Sequence, residues 1–308
     1  MDQSTKIQTQ IKEWVESSYV QSDLFAAWRM ANDGGPRLQD FLPYLASRCA
    51  DHPLWPIACM AAQLGDEHHN NPFHGNPHFR EVTATGLKLG HAANMSVERI
   101  LMLFIATSLH DYKHDGKGNT VDGVHEPMRL ERQSWEEAEK RLITLVDKGL
   151  VSRNIYDDFI VKFRAIIAVT DVTKPAGGTS PAELLVKIYD AHNGEGVFPE
   201  VPDDVMMPLI EDRELCEVAM YAEAADLIPS AAICPEHTRI TSFAVEDETA
   251  LQDEKSKIPA TPASAEWFID NICKNLLKMP VVRQMFEQSL EVVKAETAKD
   301  KAAGLTYR

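Results

Sequence analysis

Apolar residues return every three or four positions in one stretch after another: 96-SVERILMLFIATSLHDY-112, 133-QSWEEAEKRLITLVDKG-149, 154-NIYDDFIVKFRAIIAVTD-171, 182-AELLVKIYDAH-192 and 215-LCEVAMYAEAADLI-228. That is the period of an amphipathic or buried helix, and runs with the strict alternation of a strand are short and rare. The punctuation agrees with the period. Ser96 stands three residues before Arg99 as a helix N-cap, Gly149 closes one helix, and Ser180-Pro181 opens the next. The pattern predicts an all-α chain folded as a compact multi-helix bundle.

No internal repeat or shift of composition cuts the chain into independent units. Residues 1–66 read as a helical lead-in, 67–295 as the main domain, and 296–308 as a fraying C-terminal tail. The stretch 235-PEHTRITSFAVEDETALQDEKSKIPATP-262 is polar, flanked by proline and rich in Asp and Glu, and reads as a long acidic loop between helices.

Charge narrows the chemistry. Across 308 residues the formal net charge is -16, which repels a phosphate backbone and argues against a nucleic-acid partner. No run approaches the ~18 apolar residues of a membrane span, and the polar N-terminal stretch has no apolar core of an export signal, so no membrane partner and a cytoplasmic location are expected. An oligomer is compatible with the sequence. The five cysteines (Cys49, Cys59, Cys216, Cys234, Cys273) lack any CxxC pairing and read as buried free thiols. A small phosphorylated substrate would need positive charge at its binding site, and in so acidic a chain metal ions are the obvious source.

Two segments carry the candidate chemistry. In 71-NPFHGNPH-78 two histidines stand four apart, and in 110-HDYKHDGKGN-119 His110 and Asp111 end an apolar helix with His114 one turn further on. A neutral nitrogen and an anionic oxygen at one buried point suit a divalent cation. Asp171 and Asp226 also lie among Ile, Val, Ala and Leu, where a carboxylate is costly unless it is paired or metal-bound. Such groups from distant segments converge only if the helices bundle.

The order His78, His110-Asp111, Asp226 resembles the signature of the HD-domain metal-dependent phosphohydrolases. It is most similar to the catalytic domain of the class I 3′,5′-cyclic nucleotide phosphodiesterases, as a divergent member. That family's N-P-Y-H-x-x-x-H, H-D-x-x-H-x-G-x-x-N, A-T-D and A-D-[IL] segments read here 71-NPFHGNPH-78, 110-HDYKHDGKGN-119, 168-AVTD-171 and 225-ADL-227, in register from about residue 67 to about 295. The resemblance implies that His78, His110, Asp111 and Asp226 ligate a tighter metal, zinc or else iron or manganese. Asp111 would bridge to a second ion, magnesium or manganese. It implies further that His74 protonates the leaving oxygen, that His114 orders the second ion's water shell, and that Glu137, Thr170 and Asp171 support the ligands from behind. Phe268, in 265-AEWFID-270, would stack on the base.

The implied activity is phosphodiester hydrolysis by a hydroxide activated between two metals, with a small phosphorylated substrate, a cyclic nucleotide first. The departures lie on the substrate side. Ala265 stands where mammalian-type members carry the glutamine that holds the purine edge, and Ile228-Pro229 stands where the family has Ser-Asn. These leave open an HD-type nucleotidase acting on a phosphomonoester, or a non-hydrolytic nucleotide-binding module on a retained metal cage. A di-iron oxygenase of the same fold would need more histidines, and His125 is the only spare one nearby.

Overall fold

The computed structural model describes residues 3–20, 23–30, 35–121, 123–251 and 257–308. The chain opens with α1 (Gln3–Glu16), α2 (Leu24–Met30), α3 (Leu42–Cys49) and α4 (Trp55–Gly65), followed by α5 (Asn76–Ala92) and α6 (Val97–Leu109). A two-stranded antiparallel hairpin, β1 (Thr120–Val121) and β2 (Val124–His125), pairs Thr120 with His125. It is the only sheet among the described residues. Next come α7 (Arg129–Leu142), α8 (Thr144–Asp147), α9 (Arg153–Ala168), α10 (Pro181–His192), α11 (Met207–Glu211) and α12 (Arg213–Ala232). The chain finishes with α13 (Pro235–Ala250), α14 (Pro262–Phe268), α15 (Lys274–Leu276) and α16 (Pro280–Ala302). The all-α expectation holds.

Three helices form the centre. Every residue of α5 from His78 to Gly90 and every residue of α6 from Ile100 to Leu109 is buried, and α12 is buried along most of its length. A helix covered on all sides must be packed on all sides. Close approach is part of this: a Cβ added at Gly90 of α5 would stand 2.7 Å from Cδ1 of Ile100 on α6. No helix among the described residues is long and apolar enough to cross a membrane.

The first four helices are more than a lead-in. Ile11, Trp14, Phe25, Phe41 and Ile57 belong to the same buried cluster as Phe104 and Phe286. Trp14 donates its indole N–H to the carbonyl of Ala84 at 2.9 Å, and the buried Lys88 ammonium donates to the carbonyls of Trp14 and Ser17 at 2.9 and 2.7 Å. A cation from α5 thus caps the C-terminal end of α1, where free carbonyls accumulate.

Two expectations are corrected. Most of the stretch read as an acidic loop, 235–262, is the helix α13, and only 257–261 runs as irregular chain, while 252–256 lie outside the described residues. The reason is chemical: the buried face of α13 carries His237, Thr238, Thr241 and Glu248 in place of aliphatics, so the helical period is present without its apolar marker. The 296–308 tail does not fray either. The helix α16 continues to Ala302, and the N–H of Tyr307 then donates to the carbonyl of Ala260 at 2.9 Å.

The expected caps form. The Ser96 hydroxyl accepts from the N–H of Arg99, and Gly149 takes φ +69°. Ser180 and Glu183 make a reciprocal capping box at the start of α10. Ser180→Ala should lower unfolding stability by about 1 kcal/mol, read as a shift of the denaturant midpoint at unchanged slope.

Candidate metal centre

Four side chains converge from two helices and the segment that directly follows a third. His78 lies in the first turn of α5, His110 and Asp111 directly follow α6, and Asp226 sits in the covered part of α12. Nε2 of His110 stands 2.8 Å from Oδ2 of Asp111, 3.5 Å from Oδ1 of Asp226 and 3.2 Å from Nε2 of His78. Nε2 of His78 stands 3.0 Å from Oδ1 of Asp226 and 3.4 Å from Oδ2 of Asp111. For a metal bond of about 2.1 Å, neighbouring ligand atoms in octahedral or tetrahedral geometry lie about 3.0 to 3.4 Å apart. The His78, His110 and Asp226 atoms lie within 4.8 Å of one another and could hold a cation, and Oδ2 of Asp111, which faces both imidazoles, is buried with no hydrogen-bond donor.

The far nitrogen of each imidazole decides what the near one can do. His110 has Nδ1 3.0 Å from the carbonyl of Thr107, which can only accept, so Nδ1 carries the hydrogen and Nε2 offers a lone pair to the cluster. His114 is the reverse case. Its Nδ1 accepts from the N–H of Gly116 at 3.0 Å, which puts the hydrogen on Nε2, 3.6 Å from Oδ1 of Asp111. Burial lowers the His114 pKa to about 4 against the pull of Asp111, so the ring is neutral. It can hold a water beside Asp111 and is a poor ligand, although His74, Asp111 and His114 have ligand-type atoms within 4.8 Å of one another.

His74 is bound to a carboxylate of α13. Its Nδ1 lies 2.5 Å from Oε1 of Glu248, whose Oε2 accepts from the backbone N–H groups of Phe73 and His74 at 2.8 and 3.0 Å. Burial works against charge on this ring, but the carboxylates of Asp111 and Glu248 outweigh it and raise the pKa to about 9. Nε2 faces Asp111, 4.0 Å from Oδ2. With no cation at the cluster, burial likewise opposes charge on His110, yet Asp111 and Asp226 push its pKa well above the ordinary value, so a metal ion would take the place of the proton on Nε2. Both carboxyls are held low, burial being outweighed chiefly by His110.

Each residue expected behind the ligands has partners of its own. Asp171, just after α9, accepts from the N–H of Met128 at 2.8 Å and from the N–H and hydroxyl of Thr173 at 2.8 and 2.5 Å. This bonding ties the α9–α10 connection to the start of α7. Thr170 donates its hydroxyl to the carbonyl of Ile167 and lines an apolar crevice beside His110. Glu137 does not reach the cluster. It lies on the outer side of α7, ion-paired with Lys140 at 2.5 Å, because the face of α7 that turns inward is Glu131, Ser134, Trp135, Ala138 and Leu142. The buried acid of α7 is Glu131, which accepts from Asn119 at 3.0 Å. Burial, reinforced by Asp171, raises its pKa to about 8. Glu223, one turn before Asp226, is also buried, has one oxygen without a donor, and is pushed well above the carboxylate range by burial and by Asp226.

Phe268 packs half-buried against the core at the end of α14. The ring lying against the cluster is Phe73, its centroid 4.7 Å from those of both His74 and His78. The remaining histidines play other parts. His69 stacks on Phe79 at 4.4 Å with its pKa lowered to about 4 by burial, and His192 bonds the carbonyl of Leu209 at 2.8 Å. Glu248 was hidden by the loop reading. The signal for it was the run His237, Thr238, Thr241, Glu248 at helical spacing.

An all-α bundle closed around a buried His/Asp cluster is the class that fold and site define. No protein-family profile matches the sequence, and no curated protein matches it. Among solved structures the chain is similar to LmjPDEB1, a Leishmania phosphodiesterase catalytic domain solved in complex with IBMX. The TM-score is 0.58 at 15% identity, over 96% of this chain and 90% of that one. The two chains share a fold, and the fold is that of a phosphodiesterase-type helical bundle.

Two measurements check the site. Zinc should raise the melting temperature of metal-stripped protein, by about 3 kcal/mol of stability at a hundredfold excess over Kd, and Asp226→Asn should abolish most of that shift. Glu131 has a folded pKa above its ordinary 4.5, so the native state binds more protons than the unfolded chain between 4.5 and about 8, and stability falls as pH rises through that window. In metal-stripped protein, Glu131→Gln should match the parent near pH 4 and exceed it by on the order of 2 kcal/mol at pH 8 in denaturant titrations.

Proposed function

We propose that this chain is a metal-dependent phosphohydrolase of the HD type that cleaves a phosphodiester, with a 3′,5′-cyclic nucleotide as the first substrate. The observation that carries this reading is a pairing: the convergence of His78, His110, Asp111 and Asp226, and the His74 imidazole held on Glu248 beside Asp111. A binding module needs no proton donor; a phosphoester hydrolase does. The IBMX complex of LmjPDEB1 supports a small nucleotide-like ligand.

In this reading the four residues would hold the tighter ion, zinc or else iron or manganese, and Asp111 would also serve a second, magnesium or manganese. Divalent cations there would supply the charge a phosphoryl group needs in an acidic chain and would lower the pKa of attacking water. His74, through Nε2, donates a proton to the departing alkoxide, and Glu248 keeps the ring charged and oriented until it does so. His114 offers its Nε2–H to water beside Oδ1 of Asp111. Asp171 and Glu131 hold the loop around Asn119 and the start of α7 in place, with Thr170 beside His110. Phe73 supplies an apolar wall next to both histidines. Phe268 as a base-stacking contact rests on the sequence resemblance alone.

The test is a substrate screen on metal-stripped protein reloaded with zinc, manganese or magnesium, using cyclic nucleotides, bis-nitrophenyl phosphate and nucleoside monophosphates. Hydrolysis of the diesters is expected. Turnover of monoesters alone would instead assign a nucleotidase, in keeping with an apolar Ala265 where a base-holding amide would stand. His74→Gln should lower kcat by about 10² to 10⁴ with metal content unchanged, as expected for loss of a general acid. Asp111→Asn should lose metal and activity together.

A further inference from the structure

The Phe73–His74 peptide is gripped by two helices. From α13, Glu248 accepts from both backbone N–H groups and from the His74 ring. From α2, the Arg29 guanidinium stands over the Phe73 ring, 5.8 Å from its centroid, and that ring in turn lies against His74 and His78. A cation over an aromatic face is an attractive, orienting contact.

Arg29 is itself fixed. Its Nε and Nη2 donate to the two oxygens of Glu81 at 2.8 and 2.9 Å, with the side chains 7% and 2% exposed. Glu81 lies three residues beyond His78 on α5. The fully buried His237 of α13 brings its Nε2 within 3.5 Å of Glu81. The planar fork therefore joins α2 to α5, which bears His78, and Glu81 also faces α13, which bears Glu248. Desolvated ion pairs are weak contributors to stability compared with apolar packing, whereas a bidentate fork fixes a plane, so the value of this pair is its geometry.

The geometry points to Arg29 as a positioning residue: it sets the Phe73 ring, and through it holds the His74 imidazole with Nδ1 on Glu248 and Nε2 toward Asp111. This makes α2 part of the support of the proton donor. Only the kinetic consequence rests on the phosphohydrolase reading; the positional claim stands on the contacts.

Replacing Arg29 alone would strand the Glu81 charge, so the test uses Arg29→Gln together with Glu81→Gln, and separately Phe73→Leu, in the full chain. The readout is the proton shared by His74 and Glu248 in histidine-labelled NMR spectra, assigned by its loss in Glu248→Gln. In both folded variants it should move upfield or broaden, while the His192 signals and circular dichroism stay as in the parent. With a phosphodiester bearing an alkyl leaving group, kcat should fall about tenfold or more at unchanged KM. A nitrophenyl ester, which needs little protonation, should change by no more than about twofold. An unmoved shared proton in the variants overturns the proposal, with Phe73→Leu deciding if the double variant does not fold. A displaced proton in a chain that hydrolyses no phosphoester would uphold the positioning role and count against the functional reading alone.

Discussion

Two imidazole nitrogens and two carboxylate oxygens meet in the interior, each nitrogen within 3.5 Å of both oxygens. Such a meeting repels itself unless positive charge sits at its centre, and the rest of the structure is arranged around that constraint. Three covered helices, α5, α6 and α12, bring the groups together, and their packing leaves the side chains little room to part. The Thr107 carbonyl keeps a hydrogen on Nδ1 of His110, so Nε2 is the nitrogen left to exchange its proton for a cation.

The same logic separates residues that look alike in sequence. His78, His110, His74 and His114 all border one carboxylate, Asp111. His110 is backed by an acceptor and becomes a ligand type; His114 is backed by the Gly116 N–H and becomes a donor; His74 is backed by a carboxylate and stays charged. Around them, Glu131 and Glu223 have pKa values raised by burial among other acids. The site thus holds more carboxyl groups than can ionise together without added cations, which connects the acidity of the whole chain to the chemistry at its centre.

Much of this was legible in the chain itself. Helical periods, caps such as Ser96 and Ser180, and the residues of the two His-rich segments were readable because periodicity and capping are local properties. The convergence of His78, His110 and Asp226 was readable because a carboxylate such as Asp226 among apolar neighbours needs a partner wherever the helix ends up. Glu137 was misread because only packing tells which face of α7 turns inward, and that face carries Glu131. The helix α13 was missed because its buried face is polar.

Sequence alone determined that the chain is helical, acidic and equipped with a His/Asp set suited to a divalent cation. The tertiary structure decided which nitrogen of each histidine faces the cluster, and that Glu248 bonds His74 while Arg29, from the far end of the chain, stands over the adjoining Phe73 ring. The physical reason is that periodicity, capping and burial cost are properties of neighbours along the chain. Tautomer, proton affinity and orientation are set by whatever packing brings to the far side of the ring.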